Sequence, residues 1–256
     1  MDGFWDVVLD MRLVAAVIAV IVGGFLRGFV GFGAALVIVP VLSLTVGPRT
    51  AIAISSIVGL PAVLQLLPEA MRHAEKQIVL PVAAALFASA PLGAWLLVSV
   101  DPAVMKIVIS ALVVGMVAML AGGWKVEREV SAGLLVLAGV AGGLLQGSSG
   151  MGGPPVVAVA LARPGAAHQQ RGNVLGLMTA VALSTVAPLA LFGLFTTEAI
   201  VMGLLLLPVY ILATALGSRY FARGGSRYYR NAALVTLAAV GFATLGVAVQ
   251  RYLSGS

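Results

Sequence analysis

The sequence predicts an all-α integral membrane protein with two inverted-topology repeats, each made of a broken re-entrant helix pair and three transmembrane helices. Two observations lead to this prediction. The 256-residue chain is 61% hydrophobic and 9% charged, whereas soluble globular domains carry roughly 25% charged residues. A glycine-rich stretch also occurs twice within apolar sequence, 119 residues apart. We expect the two repeats to occupy residues 1–124 and 125–256.

The two glycine-rich stretches align residue by residue. When residues 22–42 are placed on residues 141–161, 8 of 21 positions are identical, and five of these are glycine. Inside a bilayer, non-helical backbone persists only where it is buried in protein or lines a water-filled cavity. Interrupted helices at corresponding points of two halves are typical of the binding sites of secondary transporters. We therefore expect a binding site between the two stretches.

The apolar segments next to the glycine stretches are short. About 20 apolar residues are needed to cross a hydrocarbon core of about 30 Å, but residues 11–26 and 34–46 number only 16 and 13. We expect such a pair to form a hairpin of two half-length helices, and residues 131–145 and 154–162 to form the second hairpin. The segments expected to cross the bilayer are 51–67, 78–100, 103–123, 174–195, 199–221 and 231–250.

The distribution of basic residues favours hairpins over single crossings. Cytoplasmic connectors of membrane proteins carry an excess of Lys and Arg. If each broken stretch crossed the membrane once, the basic residues would divide 8 to 6 between the two faces; with hairpins they divide 10 to 4, leaving Arg27 uncounted inside the first break. The hairpin arrangement inverts the two halves relative to one another and predicts both termini on the non-cytoplasmic side.

Composition also excludes several functions. The chain has no cysteine, so thiolate metal sites and thiol nucleophiles are excluded. All nine Asp and Glu residues lie at segment ends and both histidines lie in connectors, so neither a carboxylate proton relay nor a metal site is predicted. The net charge of +6 is spread over short connectors, and no nucleic-acid partner is expected. We predict no cofactor; the expected partners are the lipid bilayer and a small anion, and a homodimer is left open.

The second helix of each hairpin is expected to begin near the middle of the membrane, at about Ala34 and Pro154. Unsatisfied N–H groups and the positive dipole end make such a helix start a seat for an anion. Glycine permits positive φ and close backbone approach, Arg27 offers a charged fork, and hydroxyl and amide groups add donors. The predicted substrate-binding residues are Arg27, Gly28, Gly31, Gly33, Gln146, Gly147, Ser148, Ser149, Gly150, Gly152 and Asn173.

Other roles compete with these assignments. Arg27 could cap the C-terminal carbonyls of the first helix, and the two serines could bond to carbonyls of their own helix. Residues 147–150 also fit the G-x-S-G pattern of a rhomboid-like intramembrane serine protease with Ser149 as nucleophile, but that chemistry requires a base, and no histidine lies within a span. A passive anion channel of the same fold and a membrane scaffold are the remaining alternatives to a secondary transporter.

Two inverted halves that each open with a glycine-rich broken helix resemble the sulfite exporter TauE/SafE family of membrane permeases. The matching copies are residues 24–40 and 143–161, and the resemblance covers essentially the whole chain. It implies transport of a small sulfur-containing anion (sulfite, an organosulfonate or a similar oxyanion) across the cytoplasmic, or inner, membrane. The first copy has Phe29 and Val30 where the second has Ser148 and Ser149, which leaves open which copy contacts the substrate.

Overall fold

The computed structural model of the chain describes residues 11–101, 104, 131–162 and 167–223. Within these residues the helices are α1 Met11–Val30, α2 Ala34–Thr45, α3 Pro48–His73, α4 Lys76–Ser99, α5 Ala132–Ser149, α6 Gly153–Ala162, α7 Ala167–Ser184, α8 Val186–Leu191 and α9 Thr197–Ala222. The predicted span 231–250, the predicted span 103–123 apart from residue 104, and the predicted repeat boundary at residue 124 lie outside the described residues.

Six stretches of the described chain are long and apolar enough to cross a membrane, as expected for an integral membrane protein. They fall on α1, α3, α4, α5, the pair α7–α8, and α9, and each contains an 18-residue window with a mean hydropathy of 1.4 or more. Many large apolar side chains on these helices are exposed, among them Leu64, Leu137 and Leu205. Such a surface is stable in hydrocarbon and would be unusual in water. The chain is therefore a multi-pass membrane protein.

Both glycine stretches interrupt a helix, as predicted, but the first helix of each pair is longer than predicted. α1 has 20 residues and α5 has 18, so α1 is about 30 Å long at 1.5 Å per residue and is not half-length. Gly28 and Gly147 lie inside these helices, where the lack of a side chain lets a neighbouring helix pack closely. A Cβ atom on Gly28 would lie 2.0 Å from the Thr214 carbonyl oxygen, and one on Gly147 would lie 2.2 Å from the Ala90 carbonyl oxygen.

The second helix of each pair packs back against the first. Gly23 of α1 faces Ala34 and Ile38 of α2, and Gly142 of α5 faces Val156 of α6. Gly23 and Gly142 are equivalent under the 119-residue shift. Three residues separate α1 from α2 and α5 from α6, and these contacts bring the start of each second helix alongside the first helix.

The two halves pack against each other in reciprocal pairs. α1 lies along α9, and α5 lies along α4; the 119-residue shift exchanges these two pairs. Along α1, Gly24 approaches Tyr210 and Gly28 approaches Thr214, so α1 and α9 run parallel. The glycines of α5 meet α4 in the same direction. The two contacts thus correspond to one another under the 119-residue shift, in the part of the chain that the structure describes.

α3 and α7, which are equivalent under the same shift, pack against each other in antiparallel fashion. The end of α3 meets the start of α7, where the rings of His73 and His168 lie 5.9 Å apart. Towards the other end, Ser55 of α3 and Thr185, just after α7, face a common cavity. The antiparallel contact brings the N-terminal half of α3 close to the end of α7 at this cavity.

Candidate anion-binding site

A cavity of about 80 Å³ lies between the two glycine breaks. The first break and the first turn of α2 form one wall, the second break and the start of α6 form another, and α3, the α7–α8 region and α9 complete it. The residues that line the cavity include Arg27, Gly33, Ala34, Ala35, Ser55, Ser56, Gly59, Gln146, Gly150, Gly153, Pro154, Thr185 and Tyr210.

Four of the sequence-predicted residues line this cavity, and they come from both breaks. Arg27 and Gly33 belong to the first break, and Gln146 and Gly150 belong to the second. The other seven do not line the cavity, and these are Gly28, Gly31, Gly147, Ser148, Ser149, Gly152 and Asn173. Arg27 and Gln146, which occupy equivalent positions of the two glycine motifs, thus place one charged and one amide side chain at the cavity.

Arg27 both faces the cavity and closes the end of α1. Its side chain is buried, with 7% of its surface exposed, and its Nη1 donates a hydrogen bond of 2.7 Å to the Gly31 carbonyl oxygen. A guanidinium has five N–H donors, so this capping role leaves donors for an anion. Among the described residues that line the cavity, no other carries a formal charge.

Gln146 closes the second break in an analogous way. Its Oε1 accepts a hydrogen bond of 2.8 Å from the backbone N–H of Gly152, and the 119-residue shift makes it the equivalent of Arg27. Each break is therefore bridged by the side chain at the same position of its motif. Only Arg27 is charged, so the positive charge lies on the side of the cavity formed by the first break.

The two helices that begin at the cavity differ in the backbone donors they present. Gly33 precedes α2 with φ of +96°, and no side chain caps the helix, so its first-turn N–H groups have no side-chain acceptor at the cap. Ala34 and Ala35 of this turn line the cavity. α6 instead begins Gly-Pro-Pro, and proline has no N–H group. α2 therefore offers the stronger anion-attracting end.

The glycines of the two motifs serve two different purposes. Gly31, Gly33 and Gly150 have φ of +94°, +96° and +72°, a region that glycine enters without steric penalty. These three form the turns of the breaks, as the sequence indicated. Gly28 and Gly147 are helical and permit the close approach of α9 and α4 described above.

The predicted hydroxyl and amide donors outside the cavity have local partners. Ser148 and Ser149 each donate a hydrogen bond of 2.7 Å to the carbonyl four residues earlier in α5, which is the alternative role considered from the sequence. Asn173 exchanges two hydrogen bonds with Glu75, accepting from its backbone N–H at 2.7 Å and donating to its Oε1 at 3.0 Å. Asn173 therefore joins α7 to the start of α4.

Sequence reasoning did not select several cavity residues. Ser55, Ser56 and Thr185 supply hydroxyls, and the two serines were recognisable only as polar positions inside an apolar span. Tyr210 also lines the cavity and is 1% exposed. The sequence marks Tyr210 as unusual because it lies in the middle of a span, whereas tyrosines of membrane proteins generally favour the membrane–water interface.

Comparison with known proteins agrees with these features. A sequence model of the family described as sulfite exporter TauE/SafE matches residues 15–244, a range that includes both breaks and every lining residue of the cavity. No curated protein and no solved structure matches the chain. Because the family match extends over far more than half of the 256 residues, the chain belongs to the sulfite exporter TauE/SafE family of membrane transporters.

Proposed function

We propose that this transporter moves sulfite, or a similarly small sulfur-containing oxyanion, across the cytoplasmic membrane by alternating access. Family membership assigns it to membrane transporters of sulfur anions. The proposed substrate and binding site are supported by the cavity between the two breaks. The buried side chain of Arg27 forms part of its wall, and the first residues of α2 line it.

The anion would bind against the first break. Arg27 provides N–H donors beyond the one that it gives to Gly31, and the start of α2 adds backbone N–H groups and a positive dipole end. Ser55, Ser56 and Tyr210 place hydroxyl groups around the same space. A volume of about 80 Å³ suits an anion of a few heavy atoms.

The packing of the halves supports an inverted arrangement. α4 and α5 run parallel. If the chain passed straight through the second break, α7 would oppose α5 and α4, and would run parallel to α3. A chain that reverses at the break instead makes α3 and α7 antiparallel, which is the packing that the His73–His168 contact reflects. Two inverted halves can rock around a central site and expose it to each side in turn.

Ser149 has an environment that speaks against the protease alternative. Its side chain is fully buried, and its hydroxyl donates to the Leu145 carbonyl. His168 lies at the far end of α7, where its ring contacts His73 and Phe221. A serine nucleophile requires a base within hydrogen-bonding reach, whereas the Ser149 hydroxyl bonds to a backbone carbonyl and the His168 ring packs against two other aromatic rings.

Transport by the purified protein in proteoliposomes tests the proposal. We expect saturable sulfite uptake that is stimulated by sulfite preloaded inside the vesicles, with chloride as the control anion. We also expect sulfite to raise the melting temperature of the detergent-solubilised protein, because a ligand that binds only the folded state stabilises it. Large single-channel currents without counter-flow stimulation would show a channel, and the carrier mechanism would then be rejected.

The absence of cysteine from the chain permits a clean topology test. Single cysteines placed near each terminus should react with a membrane-impermeant maleimide from the non-cytoplasmic side. A cysteine replacing Arg72, at the end of α3, should react only from the cytoplasmic side. Labelling of both termini from the cytoplasm would contradict the inverted hairpin arrangement.

A further inference from the structure

Arg171 is fully buried, although it lies in the polar stretch between the predicted apolar segments 154–162 and 174–195. From α7, its Nη2 donates to the Gly28 carbonyl oxygen at 2.7 Å and its Nε donates to the Phe29 carbonyl oxygen at 3.3 Å. The carboxylate of Glu69 on α3 forms an ion pair with it, and the ring of Phe221 on α9 lies 4.0 Å from its Cζ. One side chain thus joins four helices.

The two carbonyls that Arg171 binds are among those that the first break leaves without helical partners. In a continuous helix, the N–H groups of Phe32 and Gly33 would bond to the carbonyls of Gly28 and Phe29. Phe32 and Gly33 lie in the break instead, and unsatisfied carbonyls inside a membrane protein are strongly unfavourable. Arg171 supplies the missing donors from the opposite half of the molecule.

We propose that Arg171 is a positioning residue for the anion site. It does not line the cavity, but it holds the carbonyls of Gly28 and Phe29, which directly follow Arg27 in α1. By fixing where α1 ends, it fixes the direction of the Arg27 side chain and the start of α2. This inference rests on the proposed function, because it assigns Arg171 to the site at which the anion binds.

Among the described residues, none anchors the second break as Arg171 anchors the first. The 119-residue shift places Ile52 where the other half has Arg171, and Ile52 makes apolar contact with the turn at Gly150. A buried guanidinium is tolerated when it is paired with an opposite charge, and Glu69 supplies that charge to Arg171. Ile52 is uncharged and needs no such partner. The first break, which carries the charged cavity residue, is the one held by a charge network.

A double variant separates positioning from charge balance. Arg171→Met combined with Glu69→Gln removes both charges and leaves no unpaired buried ion. The matched control is Arg49→Met, because Arg49 also donates to carbonyls at a helix end, to Val98 at 2.7 Å and Leu97 at 3.4 Å, and does not line the cavity. Arg171→Lys keeps the charge and part of the donor set, and serves as a second variant if the double variant folds poorly.

Two measurements are needed: hydrogen–deuterium exchange of the backbone amides at 28–35, and the KM for sulfite uptake. In the double variant we expect exchange at 28–35 and the KM each to rise by about tenfold or more, as for the loss of two charge-assisted hydrogen bonds. We expect Arg171→Lys to recover part of both values, and Arg49→Met to leave both within about twofold of the original protein.

The inference is overturned if the double variant keeps both values within about twofold of the original, or if Arg49→Met changes them as much. It is also overturned if exchange rises while the KM stays unchanged, because Arg171 would then hold the fold without affecting the site. If the unmodified protein takes up no sulfite, the proposed function fails instead, and unchanged exchange in the double variant would still reject the anchoring of the break.

Discussion

Replacing Arg27 by Gln tests the charge on the cavity wall most directly. Gln is the residue at the equivalent position of the second break, so the variant gives both halves the same neutral side chain. Arg27 is 7% exposed and is the one charged residue among the described residues that line the cavity. An anion bound there would therefore lose its main electrostatic partner while most of the packing remains.

The size of the effect follows from the burial of Arg27. Two unit charges about 4 Å apart interact by about 4 kcal/mol at an effective dielectric constant of about 20. The Gln amide and the start of α2 compensate part of this loss, which brings the net effect to the range of about 1.5–3 kcal/mol found for hydrogen bonds to charged groups. We expect the Kd for sulfite to rise by roughly 10- to 100-fold.

The assay is sulfite titration of the purified protein by calorimetry, together with uptake in proteoliposomes. Arg27→Lys is the matched control, because it keeps the charge but loses the planar fork that reaches both Gly31 and an anion; its Kd should lie between those of the original protein and Arg27→Gln. A melting temperature measured without sulfite separates folding from binding. A Kd for Arg27→Gln within about threefold of the original would refute the assignment of Arg27 to the site.

Three further substitutions distinguish the roles of other residues. Gly59→Ala should fold normally, since an added Cβ meets nothing within 4 Å, and should raise the KM for larger organosulfonates more than for sulfite because Gly59 lines the cavity; equal changes would contradict this. Gly147→Ala should lower the free energy of unfolding by about 1–3 kcal/mol or prevent folding, because its Cβ would lie 2.2 Å from the Ala90 carbonyl oxygen; an unchanged melting temperature would be contrary evidence. Ser148→Ala should keep sulfite uptake within about twofold, because its hydroxyl serves Leu144, and loss of uptake would place Ser148 at the site.

Features that depend on local composition could be predicted from the sequence. Long apolar segments gave the membrane class, and the repeated glycines gave both breaks at the right places. The end of α1 could not be predicted in the same way. Gly28 looked like part of the break, but a single glycine weakens a helix by only about 1 kcal/mol, and the contact of Gly28 with Thr214 comes from a helix far along the chain.

The site could be predicted only where the motif itself faces the cavity. Arg27 and Gln146 belong to the repeated pattern, and both line the cavity. Asn173 was selected because it is a polar residue within an apolar span, yet its partner is Glu75 at the start of α4, which no local pattern reveals. Tyr210 and Arg171 depend on the packing of α9 and α7 against α1, which is set by contacts between the two halves.

The two breaks are alike in shape but unequal in chemistry, and this inequality bears on the mechanism. Arg27 corresponds to the neutral Gln146, the open start of α2 corresponds to the prolines of α6, and Arg171 corresponds to Ile52. Under the alternating access proposed above, one half would rock against the other around a fixed site. Because the cavity's charged side chain, Arg27, belongs to the first break, the anion would stay bound to the first half while the opening changes sides. The second break would then be the part that moves relative to the anion.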